Sequence, residues 1–151
     1  MKKQRVYLDN CCFNRPYDSQ EQIRIRLESE AKLDIQSRIK EGKVLLVWSF
    51  MLDFENSKNI DIEKRDKISG WQQFADSYFM GTTNTEKMAD DLVLKGFKSI
   101  DAVYIACAIE SKCDYFLTTD KGILGRKRLV SEVKIANPIE YIIENGDNHE
   151  K

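Results

Sequence analysis

Residues 6–18 read VYLDNCCFNRPYD, and this stretch is the starting point for predicting the fold. A short apolar run ends at Asp9 and Asn10, and an Asn-Arg-Pro turn follows two cysteines. Continuous apolar character is typical of a strand that is buried on both faces of a parallel sheet. Because a carboxylate is costly to bury without partners, the position of Asp9 needs other chemical groups at the same end of the sheet to explain it.

Short apolar runs recur along the chain and predict the strands of a single sheet. They occupy residues 6–8, 44–48, 115–117 and 133–135, with a weaker candidate at 78–80. An amphipathic helix is predicted where apolar residues repeat every four positions from 23 to 39, before Gly42. Further helices are predicted at residues 49–58, 62–77, 85–95, 99–111 and 138–144. Strands that alternate with helices in this way indicate an α/β three-layer sandwich with a mostly parallel sheet.

Composition bounds the domain count and the location of the protein. The 151 residues fit one compact domain, and 42% hydrophobic residues are enough to build its core. The longest apolar run, VLLVWSFML, is about half of the roughly 20 residues that a membrane-spanning helix needs, and no charged and apolar leader precedes the first strand. We therefore expect a cytoplasmic protein with no membrane segment. The formal net charge of −1 gives no overall argument for nucleic acid binding.

The cysteines have neither the paired spacing of a zinc site nor the density of a disulfide-bonded scaffold. There are four of them: Cys11, Cys12, Cys107 and Cys113. We expect them to be reduced and buried, as small hydrophobic side chains.

Four acidic residues stand at the ends of predicted elements. Asp9 and Asp120 each follow an apolar strand, and ligand sites of parallel sheets form outside the carboxyl ends of the strands. Asp101 lies in the first turn of a predicted helix, with Ser99 as the expected N-cap. Glu55 follows the second strand by one to two helical turns.

Each acid also has a purely structural interpretation. Asp101 and Asp120 could satisfy free N–H groups at helix starts, and Glu55 could be a solvated helix position. Asp9 is harder to explain in this way, because no helical pattern begins directly after it. Carboxylates that converge without interleaved Lys or Arg repel one another unless a divalent metal neutralises them, and oxygen ligands suit Mg²⁺ or Mn²⁺.

Four stretches together resemble the PIN-domain nucleases, a family that includes toxin ribonucleases of the VapC kind. They are VYLDN at 6–10, SFMLDFE at 49–55, SIDAVYIACAIE at 99–110 and YFLTTDKG at 115–122. The resemblance runs from Val6 to about Ile135 and implies one PIN-like domain at residues 1–146 with a five-stranded sheet, followed by a frayed tail at 147–151. It further implies a Mg²⁺- or Mn²⁺-dependent endoribonuclease that hydrolyses phosphodiester bonds of single-stranded RNA.

The resemblance also implies roles for particular residues. The catalytic and metal-binding set carried over from the family is Asp9, Glu55, Asp101 and Asp120. The residues expected to support the site or bind substrate are Asn10, Arg15 and Thr118. Many VapC-like members instead have Asn at the position of Asp120 and an acid where this chain has Ile123, which weakens the toxin assignment more than metal binding.

Two other acids are set aside by their positions. Asp53 competes with Glu55 as the second acid, but on a helix of about 3.6 residues per turn it would point roughly 200° away. Asp114 begins a predicted strand, so it should lie at the opposite end of the sheet.

Two alternatives to a nuclease stay open. A non-catalytic module could keep the fold and hold RNA or a partner protein in the same crevice. A phosphatase with Asp9 as nucleophile would need a second acid two residues later, where Cys11 stands. His149, the only histidine, lies in the tail, which argues against histidine-based ribonuclease chemistry.

The remaining predictions concern partners. A toxin of this kind would pair with an antitoxin protein. The apolar and aromatic side chains at residues 62–79 suggest a homodimer, with ordinary core packing as the alternative.

Overall fold

The computed structural model describes residues 3–14 and 22–145 of the chain. Arg15 and His149 lie outside the described residues, as does the tail 147–151. Five strands form one sheet: β1 (Arg5–Leu8), β2 (Leu45–Ser49), β3 (Ala75–Phe79), β4 (Tyr115–Leu117) and β5 (Lys134–Ala136).

Eight α-helices occur within the described part of the chain. They are α1 (Asn10–Asn14), α2 (Ile23–Lys40), α3 (Phe50–Ser57), α4 (Ile62–Ser69), α5 (Thr83–Leu94), α6 (Ser99–Glu110), α7 (Lys121–Leu124) and α8 (Pro138–Asn145). Two short 3₁₀ helices cover Gly70–Phe74 and Lys127–Leu129. None of the described helices is long and apolar enough to cross a membrane.

The sheet is parallel throughout, with the strand order β3-β2-β1-β4-β5. Tyr7 of β1 pairs with Val47 of β2 on one side and with Phe116 of β4 on the other. The chain moves outward from β1 through β2 to β3 and then crosses to β4 on the far side of β1. The order of the strands therefore reverses between β1 and β4. The predicted α/β sandwich with a five-stranded parallel sheet is confirmed.

Helices cover both faces of the sheet, which explains why its central strands are mostly apolar and buried. Val6, Tyr7 and Leu8 are fully buried. Tyr7 packs edge-to-face on Tyr104 of α6, with ring centroids 6.0 Å apart. Tyr115 packs in the same way on Tyr141 of α8 at 4.8 Å, and α8 packs against α2.

The segment 62–79 differs most from its prediction. The helix predicted at 62–77 ends at Ser69, continues as the 3₁₀ helix Gly70–Phe74 and then becomes β3. β3 is an edge strand whose residues alternate between half-buried and exposed, unlike the uniformly buried central strands. The aromatic residues of this segment thus belong to two elements, the 3₁₀ helix and β3, and the predicted homodimer stays a prediction.

Two expectations about helix starts were wrong: that no helix follows Asp9, and that Ser99 is the N-cap of α6. α1 begins at Asn10, directly after Asp9, although the sequence showed no helical pattern there. The N-cap of α6 is Lys98, and it makes no side-chain capping bond; Ser99 is already the first helical residue. Ser49, by contrast, caps α3 as predicted and accepts a hydrogen bond from the N–H of Met51 at 3.2 Å.

Candidate active site

The site lies where the strand order reverses, outside the carboxyl ends of β1 and β4. Asp9 directly follows β1, and its N–H donates to the carbonyl of Leu117 at 2.9 Å, which extends the pairing of the two strands. Asp120 follows β4 by three residues. In open α/β sheets the reversal of strand order leaves a crevice at this edge, so both carboxylates stand where such folds bind ligands.

Asp9 is the most deeply buried of the four predicted acids, with 6% of its surface exposed. Its Oδ2 accepts hydrogen bonds from the hydroxyl of Thr118 at 2.8 Å and from the thiol of Cys11 at 3.4 Å. Burial raises the pKa of Asp9 well above its usual value, and the nearby Cys11 and Asp101 raise it further, against the lowering effect of the Thr118 bond. The folded protein therefore disfavours a bare carboxylate at this position.

Asp101 links the acids electrostatically. It lies in the first turn of α6 and is half-buried. Burial raises its pKa, the negative charges of Asp120 and Glu55 raise it further, and Lys98 partly opposes them. Because Asp101 also acts on Asp9, all four predicted acids take part in one network of like charges.

Thr118 positions two of the acids at once. Its buried hydroxyl donates to Asp9 and accepts from the backbone N–H of Asp120 at 3.0 Å. Asp120 in turn caps α7, where its Oδ1 accepts from the N–H of Gly122 at 3.0 Å. The structural interpretation of Asp120 as a helix cap is therefore correct, and the same residue also belongs to the network of acids.

Of the two candidates for the second acid, Glu55 acts electrostatically on Asp101, whereas Asp53 is engaged in hydrogen bonds elsewhere. Glu55 is half-buried on α3, and its charge acts on Asp101 and Tyr104. Asp53 accepts hydrogen bonds from Trp48 Nε1 at 2.8 Å and from the hydroxyl of Tyr78, so it ties β2 and β3 to the helix. The prediction that these two side chains point to different sides of α3 agrees with these contacts.

Cys11 was missed by the sequence analysis. Cys12, Cys107 and Cys113 are buried as predicted, but Cys11 is only partly buried and lies within the site. Its sulfur is 3.4 Å from the Thr118 hydroxyl and accepts from the N–H of Thr119 at 3.3 Å. Its place two residues after Asp9 was the one available signal. Asn10 starts α1 beside Asp9, whereas Arg15 is outside the described residues.

The four acids do not form a closed metal cage. Within residues 3–14 and 22–145, no three His, Cys, Asp or Glu side chains are arranged to hold one metal ion. Mg²⁺, however, usually keeps several waters and is held by one or two carboxylates together with substrate phosphates. The oxygen donors of Asp9 and Asp101, in a pocket of like charge, fit that chemistry.

Comparison with known proteins assigns no relative to this chain. No protein-family model matches it, and no curated protein sequence matches it. The argument for its function therefore depends on the residues and contacts described above.

Proposed function

We propose that this protein is a cytoplasmic PIN-like ribonuclease that uses Mg²⁺ or Mn²⁺ to hydrolyse phosphodiester bonds of single-stranded RNA. The observation that carries the proposal is the buried Asp9, which lies among other acids at the reversal of the strand order and has a raised pKa. Groups with strongly shifted pKa values cluster at functional sites, and a divalent cation would supply the charge that these acids lack.

The four acids would have different roles in such a site. Asp9 and Asp101 would hold the ion, with Glu55 and Asp120 completing the acidic wall around it. A bound divalent ion stabilises negative charge on the phosphate and lowers the pKa of a water molecule. Glu55, half-buried and close enough to influence Asp101, would accept a proton from the attacking water. Thr118 holds Asp9 in its orientation throughout.

Basic residues beside the acids support a polyanionic substrate. The positive charge of Lys98 lowers the pKa of Asp101, and Lys121 directly follows Asp120 in the chain. Cations at the edge of an acidic crevice attract the phosphate backbone while the acids bind the metal. The choice of RNA, a toxin role and an antitoxin partner rest on the family resemblance of the four sequence stretches.

A binding module is the second candidate, and one observation favours it. The acids lack a preformed three-ligand metal site in the described part of the chain. A protein of this kind would hold RNA or a partner protein in the crevice without cutting it.

The test is an assay of purified protein on mixed single-stranded RNAs with Mn²⁺, Mg²⁺ or EDTA. We expect cleavage with either metal, none with EDTA, and none by Asp101→Asn. Asp114→Asn is the matched control, because Asp114 lies at the opposite end of the sheet and accepts from the N–H of Arg5 at 2.8 Å. Cleavage that persists in EDTA, or that Asp101→Asn leaves unchanged, would refute the proposal. RNA binding without scission in every metal would establish the binding module instead.

A further inference from the structure

A groove of about 590 Å³ lies beside the acids, between α3, α5 and α6. Its walls are largely apolar, and Phe50 supplies an aromatic ring. The other apolar residues that line it include Met80, Ala89, Val93 and Val103. The volume falls within the range of about 300–1,000 Å³ that is usual for small-molecule sites.

The groove and the acids share two helices. Ser99 and Val103 line the groove from one face of α6, and Asp101 lies in the first turn of the same helix on its other face. Phe50 lines the groove from the first turn of α3, the helix that carries Glu55. Met51 also lines the groove, and Glu55 lies one turn further along the same side of α3, so a ligand in the groove would lie near Glu55.

The walls of the groove are held in place by hydrogen bonds. The hydroxyl of Tyr104 on α6 donates to the carbonyl of Met51 on α3 at 3.2 Å. Thr82 caps α5 by accepting from the N–H groups of Asn84 and Thr85, and Asn84 donates to Glu110 of α6 at 2.9 Å. All three helices are thereby connected, and a preformed groove binds without a large ordering cost.

We propose that this groove holds one unpaired nucleobase of the RNA strand whose phosphate lies at the carboxylates. The inference rests on the proposed function and names the part of the substrate that the groove recognises. Bases of single-stranded nucleic acids stack on aromatic and apolar side chains, as the ring of Phe50 allows. Glu86 and Asp90, which also line the groove, can accept hydrogen bonds from the N–H groups of a base edge.

The charges around the groove favour a base over a backbone. Glu86 and Asp90 repel phosphate, whereas the flank beyond Asp120 is basic. Its cations include Lys121 and Arg126, and the guanidinium of Arg126 donates to the carbonyl of Gly122 at 3.2 Å. The backbone would therefore lie over the basic flank and the acids, with one base turned into the groove.

The test uses short single-stranded RNAs that carry one abasic residue at successive positions. In wild-type protein, we expect a single abasic position to raise KM by about fivefold or more, because one base–aromatic contact is worth about 1–3 kcal/mol. Val93→Trp fills the groove, so it should raise KM for the intact RNA by a similar factor and remove the effect of that abasic position. Leu94→Trp is the matched control, because Leu94 is 87% exposed and does not line the groove.

A second readout separates this proposal from the proposed function. The same RNAs are titrated against Asp101→Asn in EDTA, and binding is followed by fluorescence anisotropy. If wild-type protein cleaves no RNA in Mn²⁺ or Mg²⁺, but one abasic position weakens binding in this titration and Val93→Trp abolishes that effect, the ribonuclease proposal fails and the groove proposal stands.

The groove proposal would be overturned if no abasic position changed KM, or if Val93→Trp and Leu94→Trp changed KM equally. It would also be overturned if the protein bound no RNA. An apolar peptide that binds the groove while RNA does not would also overturn it. Phe50→Leu, which keeps an apolar side chain but removes the ring, is the second variant if Val93→Trp does not fold. It should raise KM for intact RNA more than for the abasic RNA.

Discussion

Both ends of the sheet carry acidic side chains, but the surroundings of these acids differ. At the amino end, Arg5 forms an ion pair with Asp76 at 3.0 Å, and its backbone N–H donates to Asp114. Its guanidinium also donates to the carbonyl of Ser111 at 2.9 Å. At the carboxyl end, burial raises the pKa of Asp9 and of Asp101, and neighbouring acids raise both pKa values further.

The contrast separates acids that serve the fold from acids placed for a ligand. An acid that is paired with a guanidinium or a backbone N–H needs nothing further and stabilises the chain. Acids that crowd one another in a buried crevice cost stability, and folds retain such conflict at functional sites. The predictions that follow test this contrast by changing one end of the sheet at a time.

The largest effect is expected for Asp9→Asn. Under the proposed function this change removes a metal ligand while keeping its shape. Loss of a residue that only supports a metal ligand typically costs about 10–100-fold, so we expect more than about 100-fold loss of RNA cleavage here. The measurement is the initial rate of cleavage in Mn²⁺, with Asp114→Asn as the control that should retain activity. Cleavage within about threefold of wild type would contradict the role of Asp9.

The same variant should be more stable than wild type at neutral pH, because the folded protein raises the pKa of Asp9 above its usual value of 3.8. A raised carboxyl pKa contributes stability at low pH, and that contribution is lost as pH rises through the folded pKa. The stability advantage of Asp9→Asn should therefore grow as the pH rises above about 4, as measured by urea unfolding from about pH 4 to about pH 8. Mn²⁺ should stabilise wild type but not the variant. A constant difference across this range would contradict the assigned burial cost.

The next effect is expected for Thr118→Val, which removes the hydroxyl shared by Asp9 and Asp120. We expect a loss of about 10–100-fold in cleavage, as for other residues that orient metal ligands. Unfolding free energy should fall by about 1–3 kcal/mol, because Asp9 would lose a buried hydrogen bond.

Thr119→Val is the matched control for that variant. The Thr119 hydroxyl is buried and makes no hydrogen bond within the described part of the chain. Replacing it by a methyl group of similar shape should therefore change neither activity nor stability appreciably. Equal losses in the two variants would show that Thr118 acts through general packing rather than through Asp9.

How far the sequence predicts this structure depends on how local each signal is. The continuous apolar runs of β1, β2 and β4 identify buried parallel strands, because helices cover both faces of the sheet. β3 was predicted only in part, since an edge strand with a half-exposed face lacks that continuous run. The α-helix ends at Ser69 and the tighter 3₁₀ helix begins at Gly70. A single glycine did not by itself reveal where the predicted helix would end.

The residues of the site were likewise predictable only where a local sequence pattern reports them. The acids could be located from their positions at the ends of elements, since parallel strands bring their carboxyl ends to one edge. The position of Cys11 within the site could not be predicted, because its partner Thr118 is distant in sequence. The two residues meet only through the pairing of β1 and β4. Contacts of this kind depend on strand register, which no local pattern of the sequence reports.

The smallest effect on function is expected for Arg5→Met, which removes side-chain contacts at the amino end of the sheet. The variant loses the ion pair with Asp76 and the bonds to Ser77 and Ser111, while the backbone N–H of Arg5 still donates to Asp114. Because the Arg5 and Asp76 side chains are 21% and 43% exposed, solvent screening limits the loss to about 1–2 kcal/mol of unfolding free energy. Cleavage by the folded variant should match wild type, since no residue of the acidic network changes. A large loss of cleavage at a temperature where Arg5→Met remains folded would mean that the two ends of the sheet are coupled, and the distinction drawn between them would fail.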